Sequence, residues 1–243
     1  MSKIYESILS IKKNSKKGLA LLLDPDKINL EKIDLLCQKI AQSPATHLFI
    51  GGSQVDNNVT EQLIIKLREN LNSGTQNKLP IVLFPGNPNQ ISDQADAILF
   101  LSLISGRNPD YLIDHQVNAV PLLKKTNLEI ISTGYILIEN GKQTAVERIS
   151  NTKPLSRENP DYILHTAQAG EMLGNKLIYL EAGSGANNPV PLEIISLVSK
   201  SIDVPLIVGG GIRSKIAIEN AHKAGADLVV IGTAFENNIH FFD

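Results

Sequence analysis

The chain has 243 residues, 42% of them hydrophobic, with a formal net charge of −2. That length suits one large α/β domain, and a chain of this size buries roughly 70–75% of its unfolded surface, so a substantial core is available. The near-neutral charge argues against a nucleic-acid binder, which would carry a basic stripe.

The first element expected is a helix over 2–16, set across the amino-terminal mouth of whatever follows. Its basic cluster, Lys12, Lys13, Lys16 and Lys17, reads as a solvated helix end. The opening residues lack a basic start followed by an apolar stretch, so no signal peptide is expected. No run approaches the ~18 apolar residues of a transmembrane span. Eight short apolar runs then follow, at 19–24, 47–52, 80–85, 97–103, 128–138, 176–182, 205–210 and 228–233. Such nearly continuous apolar strands indicate burial on both faces, as in a parallel sheet covered by helices.

Between the runs lie amphipathic segments. Residues 28–41 place Ile28, Ile33, Leu36, Cys37 and Ile40 at helical spacing, which makes the chain's lone cysteine a buried structural thiol, in keeping with a reducing, cytoplasmic setting. Helices are also predicted over 59–72, 109–125, 159–174, 190–202 and 214–224, the last stopped by Gly225. Only about a dozen residues, Pro85 to Asp96, separate the third and fourth strands, and they include two prolines and a glycine. A full crossover helix scarcely fits there, so the third helix should be short or replaced by an irregular segment, leaving a gap in the outer ring. Eight strand–helix units in series predict a single (β/α)8 barrel over 1–243. A doubly wound open sheet is the rival, but eight strands in uninterrupted series are unusual for it.

In such a barrel the carboxyl ends of the strands share one face, which carries the active site. The first strand ends in D-P-D-K, where Asp24 continues the inward register of Ala20 and Leu22. It reads equally as an oxygen ligand for Mg2+ or as an Asp-Pro turn; Lys27 could meet a phosphate, with a place in solvent the favoured reading. The second ends in G-G-S-Q-V-D, with Ser53 able to offer a hydroxyl to a metal or phosphate, although alone the motif reads as a turn and a helix cap at Asp56. The third, F-P-G-N-P-N-Q, carries no acid or base. The strongest signal lies in the last three: Y-L-E-A-G-S-G-A at 179–186, G-G-G-I-R-S at 209–214 and G-T-A at 232–234. Strand alternation puts Tyr179 and Glu181 on one face and Ile178 and Leu180 on the other. Glycines at three neighbouring strand ends point to a phosphate cup that Ser184 and Gly185 could complete, with Glu181 beside it as the best candidate general base, a capping or salt-bridged glutamate being the alternative, and Tyr179 as a hydrogen-bonding or ring contact to substrate. The five histidines, His47, His115, His165, His222 and His240, show no ligand spacing, and no Ser-His-Asp arrangement is supported.

The ordered set D-P-D-K, F-I-G-G-S, Y-L-E-A-G-S-G, V-G-G-G-I-R and I-G-T resembles the geranylgeranylglyceryl phosphate synthases, Mg2+-dependent prenyltransferases on a TIM barrel, over nearly the whole chain. The resemblance implies an ether formed between the hydroxyl of sn-glycerol 1-phosphate and a polyprenyl diphosphate, with geranylgeranyl the expected chain, and release of diphosphate. It implies Asp24 and Ser53 at a Mg2+ site, and Glu181 as base with Tyr179 beside it. It implies glycerol 1-phosphate held by Tyr179, Leu180, Glu181, Ala182, Gly183, Ser184, Gly185, Gly210, Gly211, Gly232 and Thr233. The family's irregular third segment agrees with the short 85–96 connection. The gap there is a route for the prenyl tail, walled by Ile81, Leu83, Leu99 and Leu101; the connection after strand five, with Glu139, Lys142, Glu147 and Arg148, is a second wall. The long fifth-strand region resembles the family's larger-subunit group, which implies a homo-oligomer, hexamer or dimer. Two rivals remain: an isomerase or lyase for another phosphorylated metabolite, with Asp24 and Glu181 as its acid–base pair, and a non-catalytic phosphometabolite sensor that would need neither.

Overall fold

The computed structural model describes residues 3–52, 57–71, 78–87 and 90–243. Eight strands, β1 (Gly18–Leu23), β2 (His47–Ile50), β3 (Ile81–Leu83), β4 (Ala97–Ser102), β5 (Glu129–Leu137), β6 (Leu177–Glu181), β7 (Leu206–Gly209) and β8 (Leu228–Ile231), close into one parallel barrel in chain order. The closure is made by Gly18–Leu21 of β1 against Leu228–Ile231 of β8.

Alternation along each strand produces two apolar layers. Ala20, Phe49, Val82, Leu99, Ile131, Tyr135, Tyr179, Ile207 and Val230 fill the interior. Leu21, Leu48, Ile50, Ile178, Leu180 and Val208 face outwards, against a helix ring that includes Leu36, Leu63 and Val198. Helix α1 (Lys3–Lys13) plugs the amino-terminal mouth as expected: Ile8 is fully buried in the interior layer, and the Ile4 and Tyr5 amides donate to the Glu129 carboxylate at the start of β5, both at 2.8 Å. The plug is also held by the Ser7 hydroxyl, 3.2 Å from Nε2 of His47 at the start of β2.

The ring consists of α2 (Ile33–Gln42), α3 (Asn57–Leu71), α4 (His115–Leu123), α6 (Pro160–Met172), α7 (Leu192–Ser199) and α8 (Lys215–Ala224), with short helices α5 (Ala145–Ser150) and α9 (Thr233–Asn237) at the upper face. Cys37 is buried on α2, and burial pushes its thiol up to about 11. Gly225 ends α8 at φ +113, a left-handed position where a side chain would be strained. Among the described residues no helix stands between β3 and β4, as the short connection required. No helix among them is long and apolar enough to cross a membrane.

Two expectations about helices need correction. The segment 28–41 does not begin as α-helix: the Asp24 and Asn29 side chains accept from the Asp26 and Glu31 amides and cap two successive 3-10 turns, so α2 starts only at Ile33. The connection after β5 holds α5, which was not anticipated. Its signal was present in T-A-V-E, since the Thr144 hydroxyl caps the helix by accepting from the Glu147 amide at 3.2 Å.

Candidate active site

The carboxyl ends of the strands open into a cleft of about 470 Å3. One end is polar and glycine-rich, bounded by Ser184, Gly185, Gly210, Gly211, Gly232 and Thr233; the other is apolar and passes between β4 and α4. Glu181 and Tyr179 sit between them.

Sheet register explains why. Across β5, β6 and β7, Tyr135 pairs with Tyr179, Leu137 with Glu181 and Glu181 with Gly209. Glu181 thus points inwards at the last rung of β6, only 5% exposed. Its Oε1 accepts from the Gly183 amide at 2.5 Å. The neighbouring glycines exist to admit it. A Cβ on Gly209 would lie 2.5 Å from the Tyr179 hydroxyl and 2.8 Å from Glu181 Oε2. A Cβ on Gly210, already at φ +83, would collide with Glu181 Oε1.

Burial raises the Glu181 carboxyl to about 7, a shift held back by the Gly183 amide and by the nearby Tyr179 hydroxyl. That hydroxyl lies beside the carboxylate without closing a well-formed hydrogen bond and is a buried donor with no partner. Burial, then the charge of Glu181, keeps the Tyr179 and Tyr135 phenols protonated. Phe84 stacks on Tyr179 at 5.4 Å and 18°, and Tyr135 meets Tyr179 edge-on at 5.3 Å, so the carboxylate rests on an aromatic floor. A buried carboxylate raised to about 7, beside an anion cup, is suited to taking a proton from a bound hydroxyl.

The cup itself is assembled from three loops. The Ser184 and Thr233 hydroxyls approach to 3.4 Å, joining the loops after β6 and β8. Gly183, Gly185, Gly210 and Gly211 all have positive φ. Arg213 donates to the Gly185 and Ala186 carbonyls and ties the loop after β7 to that after β6. Three residues of the expected binding stretch contribute less. Leu180 and Ala182 pack outwards in the helix layer, and the Ala182 amide is spent on the Gly209 carbonyl. Gly183 is buried against Thr144 and offers its amide to Glu181 rather than to the cleft.

Asp24 lines the cleft across the barrel mouth from Glu181. Its Oδ1 accepts from the Asp26 amide at 3.3 Å and its Oδ2 pairs with Lys27 at 2.9 Å, so the turn-capping role is real. Lys27 is not simply solvated: it also meets Glu236 Oε2 at 3.3 Å, and Glu236 Oε1 accepts the Asp24 amide at 2.9 Å. Ser53 and Asp56 lie outside the described residues. No cluster of three or more His, Cys, Asp or Glu able to hold a metal occurs among the described residues. Asp24 supplies hard oxygen at the cleft edge. That fits Mg2+, which takes one or two carboxylates and fills its octahedron with water and substrate phosphate oxygens.

The apolar end corrects the expected trench walls. Leu99 and Leu101 line it, but Ile81 and Leu83 are sealed into the layer between barrel and helices. The outward face of β4 replaces them: where no helix follows β3 among the described residues, Ile98 and Phe100 border the cleft together with Ile91 and with Ala119 of α4. After β5, the wall is the apolar side of α5, Ala145, Val146 and Ile149, while Glu139, Lys142, Glu147 and Arg148 do not line it. Sequence reading also missed Glu236, Tyr135 and His115, which line the cleft and become neighbours only through barrel closure.

Comparison with known proteins agrees with this geometry. The PcrB family profile matches residues 11–242. The chain is 63% identical over 243 residues to the geranylgeranylglyceryl phosphate synthase of Flavobacterium johnsoniae, covering 100% of this chain and 98% of the relative. It is 48% identical over 237 residues to that of Zunongwangia profunda, covering 98% of each. Among solved structures it resembles (S)-3-O-geranylgeranylglyceryl phosphate synthase from Thermoplasma acidophilum in complex with its substrate sn-glycerol 1-phosphate. There the TM-score is 0.89 and the identity 28%, over 98% of this chain and 94% of that one.

Proposed function

The chain belongs to the PcrB family, alongside its geranylgeranylglyceryl phosphate synthases, and on that premise we propose that it joins sn-glycerol 1-phosphate to a polyprenyl diphosphate, expected to be geranylgeranyl diphosphate, through an ether bond. The observation that carries this reading is the position of Glu181: a buried carboxylate where a glycine cup meets an apolar cleft that leaves through the gap of the missing helix. A phosphometabolite isomerase would need no such trench, and a sensor would need no base.

In this reading the phosphate rests in the cup of Ser184, Gly185, Gly210, Gly211, Gly232 and Thr233, which directs the free hydroxyl towards Glu181. Glu181 Oε2 accepts the hydroxyl proton as that oxygen attacks the first prenyl carbon. The new C–O bond forms while the bond from the same carbon to the diphosphate oxygen breaks, and diphosphate leaves with the bonding pair. Tyr179 and Tyr135, held neutral, frame the reacting centre, and the aromatic floor excludes water that would otherwise capture the developing cation. The tail lies along Leu99, Leu101, Phe100 and the apolar side of α5. Asp24, with Ser53, would hold Mg2+, whose charge makes diphosphate a better leaving group. Membership of the larger-subunit group would further make the protein a homo-oligomer, hexamer or dimer.

The test is direct. The protein is incubated with sn-glycerol 1-phosphate, Mg2+ and prenyl diphosphates of several lengths, and lipid-soluble ether phosphate is sought. Ether product is expected; its absence with every length, while glycerol phosphate still binds, would overturn the reading. Asp24→Asn should weaken Mg2+ binding measured calorimetrically in the presence of inorganic diphosphate, and unchanged affinity would remove Asp24 from the metal site.

A further inference from the structure

The glycine cup presents amides but few charged side chains, and the dianion proposed for it calls for a cation. Among the described residues, Lys27 and Arg213 line the cleft, with Lys27 already paired to Asp24 and Glu236, and one further cation stands just outside the lining, beside Gly185. Arg213 is occupied with the Gly185 and Ala186 carbonyls. The further cation is Lys142, whose ammonium lies 3.4 Å from where a Cβ on Gly185 would be. Its ammonium is in no ion pair within 4.0 Å among the described residues.

The loop bearing Lys142 is clamped to the loop after β6. Asn140, 1% exposed, donates from Nδ2 to the Ala182 carbonyl at 2.7 Å and accepts the Lys142 amide on Oδ1 at 3.3 Å. Asn188 donates to the Asn140 carbonyl at 3.1 Å, and Thr144 fills the space a side chain on Gly183 would need. Three residues beyond Lys142 the same segment becomes α5, whose apolar side walls the cleft.

We propose that Lys142 is a phosphate-recognition residue: its ammonium closes the cup over the phosphate monoester of the acceptor substrate. This rests on the acceptor being a glycerol phosphate, as proposed above. The phosphate keeps its charge throughout the reaction, so a contact to it stabilises ground and transition states alike. Loss of the contact therefore falls on KM rather than kcat.

Lys142→Met should raise the Kd and KM for sn-glycerol 1-phosphate about tenfold, the scale of one hydrogen bond to a charged group. The KM for prenyl diphosphate and the unfolding midpoint should not move, and Lys142→Arg should recover most of the loss. Binding is measured by calorimetry without prenyl substrate, with inorganic phosphate as a second probe. Wild-type affinity in Lys142→Met, equal weakening towards both substrates, or no recovery in Lys142→Arg would overturn the proposal. If the wild type binds phosphate through Lys142 yet makes no ether, the synthase reading falls while the role of Lys142 as a phosphate contact stands.

Discussion

Replacing Glu181 by glutamine should make the protein more stable and nearly inactive, and both effects follow from one carboxylate. The exchange keeps the shape: the amide oxygen can still accept from the Gly183 amide, and the amide nitrogen faces the partnerless Tyr179 hydroxyl. It removes a charge that burial disfavours. The carboxyl is raised from 4.5 to about 7, so between those values the folded state holds a proton that the unfolded chain has lost. Stability is therefore lost as pH rises through that window, by roughly 3 kcal/mol at about 1.4 kcal/mol per pH unit. Glutamine never ionises, so the stability difference between variant and wild type should be small near pH ~4.5 and grow to roughly 3 kcal/mol by pH ~8. Turnover should fall by about 10²–10⁴, the usual contribution of a positioned base. Urea unfolding at the two pH values and an ether-forming assay measure the two arms. A stability difference that does not change with pH would refute the buried-charge argument. Undiminished turnover would refute the assignment of Glu181 as base.

Three further outcomes are expected. The kcat/KM of the wild type should rise with pH and level off above about 7, where Glu181 becomes ionised; a flat profile across that region would mean another group takes the proton. Gly210→Ala should destabilise the protein by ~1–3 kcal/mol, because φ +83 is strained for alanine. It should also abolish turnover, because the new methyl group displaces Glu181; a crystal structure of an active variant with Glu181 unmoved would contradict this. Burial lowers His47 to about 4, so the unfolded chain takes up a proton first and stability falls as pH drops from 6.5 to about 4, by roughly 3 kcal/mol. Glu181 has the opposite slope over much of this range and masks the effect in the wild type. It should emerge in Glu181→Gln and disappear in Glu181→Gln with His47→Gln, as read by urea midpoints across that interval.

Much of this protein follows from local sequence. Strand alternation alone turns Tyr179 and Glu181 inwards and Leu180 outwards, because successive side chains must take opposite faces of a sheet whatever surrounds it. The twelve or so residues from Pro85 to Asp96 cannot hold a crossover helix, so the gap in the ring is a matter of chain length. Glycines at three strand ends announce a cup because few other residues tolerate positive φ or allow backbone to approach so closely.

The tertiary structure alone decides what depends on distant segments meeting. Lys27, still half exposed and paired locally with Asp24, gains a second carboxylate because Glu236, more than two hundred residues away, arrives beside it when β8 closes on β1. Ile98 and Phe100 border the trench because, among the described residues, no helix follows β3 to fill the space beside β4, whereas Ile81 and Leu83 are sealed in. Glu181 titrates near 7 because the barrel surrounds it with aromatic rings and backbone rather than water. The residue types and their faces are local properties of the chain; burial, field and partners are properties of the closed barrel, and these raise the carboxyl of a glutamate beside a glycine turn to about 7.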